Sequence, residues 1–317
     1  NGNMLKGGLV YADRITTVSR SYASEIRMPF YGEGLDGLLR ARSKQLSGIV
    51  NGIDYNVYNP KTDKDIAVNY SVEDVIKAKA ANKTALQKEL GLEENPDAFM
   101  LGIVSRLTDQ KGLDLVECVL DQICAEDVQL VVLGTGEGKY QDMFTYYSRK
   151  YPERVSANIF YSEALSHRIY ASCDAFLMPS LFEPCGLSQL MSLRYGTLPI
   201  VRETGGLRDT VTPYNEVDGT GTGFSFTNYN AHEMLAIIRY AKKTYFNDRR
   251  AWNEMVLRAM KQDFSWDASA REYEKLYDGL IEEEARRKEA IRLQQAREAA
   301  EAALKEAEKA LELAKRA

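Results

Sequence analysis

Short apolar runs alternate with amphipathic segments between Phe99 and Val201, and this alternation constrains the fold more than any other feature of the chain. The runs predict strands at 99–104, 128–133, about 157–161, 175–178 and 198–201, with helices at about 112–124, 139–150, 165–173 and 186–195. Nearly continuous apolar strands that are separated by helices of about 10–15 residues are typical of a parallel sheet covered on both faces. The sequence therefore predicts an α/β domain with a Rossmann-like, doubly wound parallel sheet.

The segments before this domain have a different character. A stretch rich in Lys, Ala and Glu predicts a helix from Val72 to Leu90. The preceding segment, Gly32 to Pro60, carries many Gly, Asn and Asp residues and predicts irregular chain with turns. The first thirty residues are too few to bury a core by themselves.

Residues 282–317 contain no Gly, Pro or aromatic residue and equal numbers of acids and bases, which predicts a long helix. Its apolar residues do not repeat as heptads. A single solvated helix with pairs such as Glu301–Lys305 is therefore favoured over a coiled coil. The sequence leaves open whether this helix is a native appendage, an engineered addition or part of a longer partner-binding coil.

Composition excludes several functions. The 317 residues include 41 Lys and Arg against 46 Asp and Glu, a net charge of −5, so the basic footprint of a nucleic-acid-binding protein is lacking. No run of about 18 apolar residues predicts a membrane span. The four cysteines show no CxxC pairing and are expected to be buried thiols of a cytoplasmic protein. With two histidines in the chain, no metal site and no Ser-His-Asp triad is expected.

The first candidate site follows the first strand of the α/β domain. The segment Ser105–Gly112 includes Arg106 and Lys111 at the carboxyl end of that strand. Ligands of open α/β sheets bind outside these strand ends, so the two cations could hold a diphosphate. The alternative, that both are surface charges near helix and loop ends, is equally open by position alone.

The second candidate site, Pro179–Gln189, also follows a strand and opens a helix. Free backbone amides at Gly186, Leu187 and Ser188 would point at an anion. Glu183 could accept hydrogen bonds from a hydroxyl-rich ligand, or it could instead interact with the helix N-terminus. Because Arg106 and Lys111 are expected at a neighbouring strand end, we favour a ligand site here over an ordinary strand-to-helix turn.

Weaker signals follow other strands. The segment Gly134–Gly138 lacks the spacing of a phosphate-binding loop. Gly205 and Gly206 permit close approach of a ligand, or form a turn with positive φ. Tyr161, at the predicted end of the third strand, could stack on a nucleobase or belong to the core. The pKa of the Cys185 thiol could fall beside a helix N-terminus, but no general base accompanies it and we do not predict a nucleophile.

Five blocks of sequence, in order, resemble the bacterial glycogen synthase and starch synthase family. They are Tyr11–Ser19, Gly48–Asp54, Ser105–Leu113, Pro179–Leu187 and Arg194–Leu207. The resemblance covers roughly residues 3–281 and ends at the alanine-rich helix. It implies a GT-B fold, in which two Rossmann-like domains face each other across a cleft. It also implies retaining transfer of glucose from ADP-glucose to the non-reducing end of an α-1,4-glucan, with no metal or other cofactor.

The resemblance assigns roles to the candidate residues. As catalytic residues, Arg106 and Lys111 would bind the diphosphate and neutralise the leaving group, and Glu183 would hold hydroxyls of the transferred glucose. Tyr161 would pack on adenine, and the amides of Leu187 and Ser188 would contact phosphate. The expected nucleotide-sugar-binding residues are Tyr161, Gly186, Leu187, Ser188, Gly205 and Gly206.

The chain departs from the family at its amino end. Lys6-Gly-Gly-Leu9 lacks the intervening residue of the family's Lys-x-Gly-Gly-Leu donor loop, and neither His167 nor His232 matches its glucose-binding histidine. Most of the N-terminal domain is therefore expected to be missing. The expected division is a remnant of that domain with a linker at 1–50, the nucleotide-sugar-binding domain at 51–264, a crossing helix at 265–281 and the charged single helix at 282–317.

Two functions follow from this division. In the first, the chain is an incomplete glycogen or starch synthase that binds ADP and ADP-glucose but is inactive by itself. Its further partners would be the glucan acceptor and the missing domain. In the alternative, it is a nucleotide-binding or scaffold module without turnover, whose helical tail is a spacer or a partner-binding arm.

Overall fold

The structure, a computed structural model, describes residues 3–316. It contains two compact units, one that extends to Ser269 and one that begins at Ala270.

A small substructure precedes the main sheet. Its strands β1 (Ile15–Thr17) and β2 (Leu46–Gly48) pair in parallel, and its helices are α1 (Met4–Tyr11), α2 (Arg20–Glu25), α3 (Pro29–Gly32) and α4 (Asp36–Ala41). The prediction of irregular chain throughout Gly32–Pro60 is wrong for α4 and β2. Burial of Leu39 and the backbone pairing with β1 stabilise these short elements, although turn-forming residues surround them.

The main sheet has six parallel strands in the order β5-β4-β3-β6-β7-β8. Its strands are β3 (Phe99–Val104), β4 (Val128–Leu133), β5 (Val155–Asn158), β6 (Ala175–Met178), β7 (Leu198–Arg202) and β8 (Phe224–Phe226). The central strands are buried on both faces, as expected of a parallel sheet that helices cover. The predicted doubly wound α/β fold is confirmed.

Helices connect these strands and extend beyond the last of them. They are α5 (Val75–Leu90), α6 (Leu113–Cys124), α7 (Gly138–Lys150), α8 (Glu163–Ser172), α9 (Ser188–Arg194), α10 (Gly205–Thr210), α11 (Ala231–Asn247) and α12 (Arg249–Met260). One predicted strand lies elsewhere: β5 ends at Asn158, whereas we predicted a strand at about 157–161. The chain leaves the sheet there because Ser162 already caps α8 by accepting a hydrogen bond from the Leu165 amide.

The direction of winding reverses between β5 and β6. The chain runs outward from β3 through β4 to β5, and then returns to place β6 beside β3. The loops that follow β3 and β6 are therefore neighbours at the topological switch point, where open α/β sheets bind their ligands.

The final helix, α13, runs from Trp266 to Arg316, which confirms the predicted long C-terminal helix. The side chains of residues 282–315 are exposed. Glu301 pairs with Arg297, at 2.9 Å, rather than with Lys305 as we expected. Residue 317 lies outside the described residues. Among residues 3–316, no helix has both the length and the apolarity to cross a membrane.

Candidate active site

A cavity of about 350 Å³ opens at the carboxyl edge of the sheet, at the switch point. The loops after β3, β4 and β5 and the start of α9 form its walls, with contributions from Arg106, Thr135, Tyr161, Ser162, Leu187 and Ser188. Four residues that were predicted from separate motifs, Arg106, Tyr161, Leu187 and Ser188, therefore share one cavity.

Arg106 is exposed at this cavity, and its guanidinium donates a hydrogen bond to the side-chain oxygen of Gln110 at 3.0 Å. Gln110 also ties the loop after β3 to the loop after β6. Its side-chain amide donates to the Phe182 carbonyl at 3.3 Å, and its backbone carbonyl accepts from the Leu181 amide at 2.9 Å. Sequence reasoning missed this role of Gln110. Its position between Arg106 and Lys111 in the same motif is the signal that could have indicated it.

Lys111 and Glu183 form an ion pair with 2.6 Å between Nζ and Oε2, and their side chains are 15% and 8% exposed. The Ser180 hydroxyl donates to the same carboxylate oxygen at 3.1 Å. Glu183 therefore contacts the lysine of the neighbouring loop rather than the N-terminus of the following helix. The ammonium group of Lys111 has three N–H donors. The contact with Glu183 occupies one of them.

Arg202, at the end of β7, holds the loop that carries Glu183. It is buried, and its Nε donates to the Ser180 carbonyl at 2.8 Å while a terminal nitrogen donates to the Leu181 carbonyl. Sequence reasoning missed this residue as well. An arginine at the carboxyl end of an apolar strand is the signal that could have indicated it.

The predicted glycines Gly205 and Gly206 do not contribute to the cavity lining. A Cβ atom at Gly205 would lie 2.0 Å from the Glu183 carbonyl oxygen, and one at Gly206 would lie 2.0 Å from that of Cys185. The Gly206 amide donates to the Glu183 carbonyl at 3.0 Å. The close approach in this structure is thus between two segments of the chain, and ligand contact at Gly205 and Gly206 stays a prediction.

Helix α9 begins at Ser188 without a side-chain cap. Gly186 precedes it in the left-handed region, with φ of +71°, and packs on the side chain of Gln189. Leu187 and Ser188, but not Gly186, contribute to the cavity lining. Uncapped amides at a helix start are donors for an anion.

Tyr161 lies beyond the end of β5 and is 84% exposed at the cavity. The alternative that it belongs to the core is therefore wrong. Tyr58 and Tyr170 also line the cavity, and sequence reasoning had not included them. An exposed ring beside two further aromatic side chains suits the stacking of a planar base.

Two of the weaker signals have structural explanations. The Gly134 loop packs on the loop after β3, because a Cβ atom at Gly134 would lie 1.9 Å from the Ser105 carbonyl oxygen. Burial raises the pKa of the Cys185 thiol to about 11, although a hydrogen bond from the Asn51 amide partly offsets this. The idea that the pKa of this thiol falls beside the helix start is wrong.

The side chains of Asp63, Asp65 and His167 have ligand atoms within 4.8 Å of one another and are the candidate metal ligands among residues 3–316. Asp63 already accepts hydrogen bonds from His167, at 2.7 Å, and from the Tyr195 hydroxyl. Burial raises the pKa of Asp63, but these hydrogen bonds outweigh it and the net pKa is lowered. The arrangement is thus a buried hydrogen-bonded network around an ionised carboxylate.

The sheet order and the cavity at the switch point have the architecture of one half of a GT-B glycosyltransferase. The family model "Glycosyl transferases group 1" matches residues 83–256, and the model "Starch synthase catalytic domain" matches residues 1–41. The chain belongs to the group 1 glycosyl transferases, and its sequence confirms the predicted resemblance to glycogen and starch synthases.

Individual relatives agree with this assignment. The chain is 70% identical to a glycogen synthase of Lachnospira eligens over 280 residues, which cover 88% of this chain and 59% of the relative. It is 64% identical to a glycogen synthase of Lachnoclostridium phytofermentans over the same shares of the two chains. The catalytic domain of starch synthase IV from Arabidopsis thaliana, bound to ADP and acarbose, superposes with a TM-score of 0.81 at 36% identity, over 86% of this chain and 57% of that one. The chain thus spans under two thirds of the length of these relatives.

Proposed function

We propose that this chain carries the nucleotide-sugar half of a glycogen synthase, which transfers glucose from ADP-glucose to the non-reducing end of an α-1,4-glucan with retention. The Lys111–Glu183 ion pair, which lies outside the cavity lining, joins the loops after β3 and β6 and carries the proposal, because it places a cation for the diphosphate and a carboxylate for sugar hydroxyls 2.6 Å apart. The names of the two glycogen synthase relatives support the reaction, and the ADP of the starch synthase IV structure supports the nucleotide.

Each residue has a stated task in this proposal. Arg106 and the remaining donors of Lys111 bind the diphosphate and stabilise the charge that develops as the leaving group departs. Glu183 accepts hydrogen bonds from the glucose and keeps Lys111 in place. Tyr161 stacks on adenine, and the start of α9 donates to phosphate. These groups need no metal ion for their tasks, so a metal-free reaction is part of the proposal.

Titration of the chain with ADP by calorimetry tests the nucleotide site, which both the synthase and the alternative binding module would contain. Arg106→Ala and Lys111→Ala are each expected to weaken ADP binding by about tenfold, since each removes a charge-assisted contact with phosphate. Lys77→Ala, on an exposed position of α5, is the matched control and should bind as the unmodified chain does. Absence of heat, or equal heat from all four proteins, would contradict the proposed site.

A glucan-extension assay with ADP-glucose then tests the proposed division of labour. We propose that the missing partner is the N-terminal domain, which supplies the other wall of the cleft and the acceptor groove. The chain alone is therefore expected to bind the donor without appreciable turnover. Appreciable turnover would refute the need for that domain.

The alternative function, a binding or scaffold module, gains support from the long exposed helix α13. Addition of the N-terminal domain of a close relative separates the two functions. Turnover on addition supports the synthase, whereas donor binding that never leads to turnover supports the module.

A further inference from the structure

Helices α2 and α10 cap each other through two acidic side chains. One oxygen of Glu25, Oε1, accepts hydrogen bonds from the Gly205 amide at 2.8 Å and from the Thr204 hydroxyl at 3.1 Å, at the start of α10. In return, Asp209 of α10 accepts from the amide of Ser21 at 2.9 Å and from its hydroxyl at 2.5 Å, at the start of α2. Carboxylates that accept from the first amides of a helix fix its position and direction.

The start of α10 is in turn locked to the main chain of Glu183. The Gly206 amide donates to the Glu183 carbonyl at 3.0 Å, and Gly205 leaves no room for a Cβ atom against the same carbonyl. Contacts this close transmit a shift directly. A displacement of the start of α10 therefore displaces Glu183, whose carboxylate holds Lys111.

Two further contacts hold the same loop from the same side. The hydroxyl of Ser19, which is fully buried and precedes α2, donates to the Pro184 carbonyl at 2.5 Å. The Asn51 amide lies close enough to the Cys185 thiol to oppose the rise in its pKa that burial causes. Residues 19–51 thus contact both the loop and the start of the helix that supports it.

We propose that Glu25 is a positioning residue for the sugar end of the donor site, acting on Glu183 through the start of α10. This inference rests on the proposed function. It requires that Glu25 affect the glucose part of the donor more than the nucleotide part, because Glu183 serves the glucose directly, whereas Arg106 and Tyr161, which serve the nucleotide part, lie on the loops after β3 and β5. Residues 19–51 then belong to the donor site rather than to a dispensable remnant.

The way in which the Glu25 carboxylate is bound suggests a conservative variant, Glu25→Gln. The second oxygen of Glu25, Oε2, is buried and accepts no hydrogen bond from residues 3–316. Since the contacts use Oε1, the amide oxygen of glutamine can replace it in Glu25→Gln. Glu25→Ala removes the contacts, and Glu25→Asp keeps the charge but is one methylene too short to make them.

The test compares binding of ADP-glucose and of ADP by calorimetry, together with hydrogen exchange of the peptide that covers residues 183–187. Glu25→Ala and Glu25→Asp are expected to weaken ADP-glucose binding by about tenfold, to weaken ADP binding by less, about threefold, because Glu183 also holds Lys111, and to speed exchange in this peptide. Glu25→Gln should restore both properties. Asp13→Ala, which removes an exposed acid between α1 and β1, is the control and should behave as the unmodified chain.

The outcomes separate this inference from the function on which it rests. If the unmodified chain binds both nucleotides and the folded Glu25→Asp variant does so with the same affinities, the positioning role is refuted and the proposed function stands. Equal weakening of ADP and ADP-glucose also refutes it, because general destabilisation has that result. If the unmodified chain binds neither nucleotide, the proposed function fails and the role of Glu25 toward a sugar donor fails with it.

Discussion

The Nζ atom of Lys111 lies 2.6 Å from the Oε2 atom of Glu183, although the two residues are 72 positions apart in the sequence. The first belongs to the loop after β3 and the second to the loop after β6, and these strands are neighbours because the winding of the sheet reverses between them. The ion pair therefore depends on the topology as a whole.

A double-mutant cycle on this pair measures its strength. Lys111→Ala, Glu183→Ala and the double variant are expected to show a coupling of about 1–3 kcal/mol in the free energy of unfolding, because both charges are mostly buried. Urea denaturation supplies the measurement. The exposed pair Arg250–Glu254 is the control and should couple by less than about 0.5 kcal/mol. Similar values for the two pairs would contradict the prediction.

Gly206→Ala is expected to lower the free energy of unfolding by about 1–3 kcal/mol, because the new Cβ atom would overlap the Cys185 carbonyl oxygen. Gly138→Ala is the matched control. No atom lies within 4 Å of a Cβ at Gly138, so this variant should be neutral or more stable by up to about 1 kcal/mol. Denaturant titration of both variants checks the prediction, and equal stabilities would overturn it.

Tyr161→Ala should weaken ADP binding by about tenfold without lowering stability, because the exposed ring contributes to a stacking surface and not to the core. Tyr146→Ala removes a tyrosine that is also exposed but lies on α7, outside the cavity lining. Calorimetry and thermal unfolding of the two variants separate binding from folding. A Tyr161→Ala variant with the affinity of the unmodified chain would exclude the stacking role.

The free energy of unfolding is expected to depend on pH because of Lys79. Its buried Nζ donates to the Thr197 hydroxyl at 2.7 Å and to the Ala171 carbonyl at 3.2 Å, and burial lowers its pKa from 10.5 to about 7, with Asp174 opposing the shift. Between these two values the unfolded chain binds a proton that the folded chain lacks. Stability should therefore rise with pH above about 7, by at most about 1.4 kcal/mol per pH unit.

The measurement is urea denaturation at several pH values from about 7 to 8.5. Higher values are avoided because burial raises the pKa of the Cys173 thiol from 9.0 to about 12, which lowers stability as the pH passes its ordinary value. Lys79→Met should flatten the profile. Lys77→Met, two residues earlier on the exposed side of α5, should leave it unchanged. A slope that survives in Lys79→Met would show that another group titrates.

The main sheet could be predicted from the sequence because its strands are buried on both faces and are therefore nearly continuous runs of apolar residues. It failed where stabilisation is not local. The three residues of β2 have no strand pattern of their own, and β1 supplies the partner. The end of β5 was misplaced because Phe160 and Tyr161 resemble a strand in composition, whereas Ser162 already caps the next helix.

At the candidate site, too, residues with a local sequence signal could be predicted, whereas those whose role depends on distant contacts could not. Arg106, Lys111, Glu183 and Tyr161 could be predicted, because each follows a strand at the edge where ligands of parallel sheets bind. Gln110, Arg202 and Glu25 could not be assigned their contacts, since these depend on loops that meet only in the folded chain. Gly205 and Gly206 were noticed for the correct property, their lack of a side chain, but the neighbour they accommodate is the chain itself.

The packing of Gly205 and Gly206 on the carbonyls of Glu183 and Cys185 limits how donor preference could be redesigned in this scaffold. A library that varied the two glycines would consist mainly of destabilised members. Leu187, Ser188 and Met191 line the cavity, and these positions are where diversity would alter selectivity while the backbone framework survives.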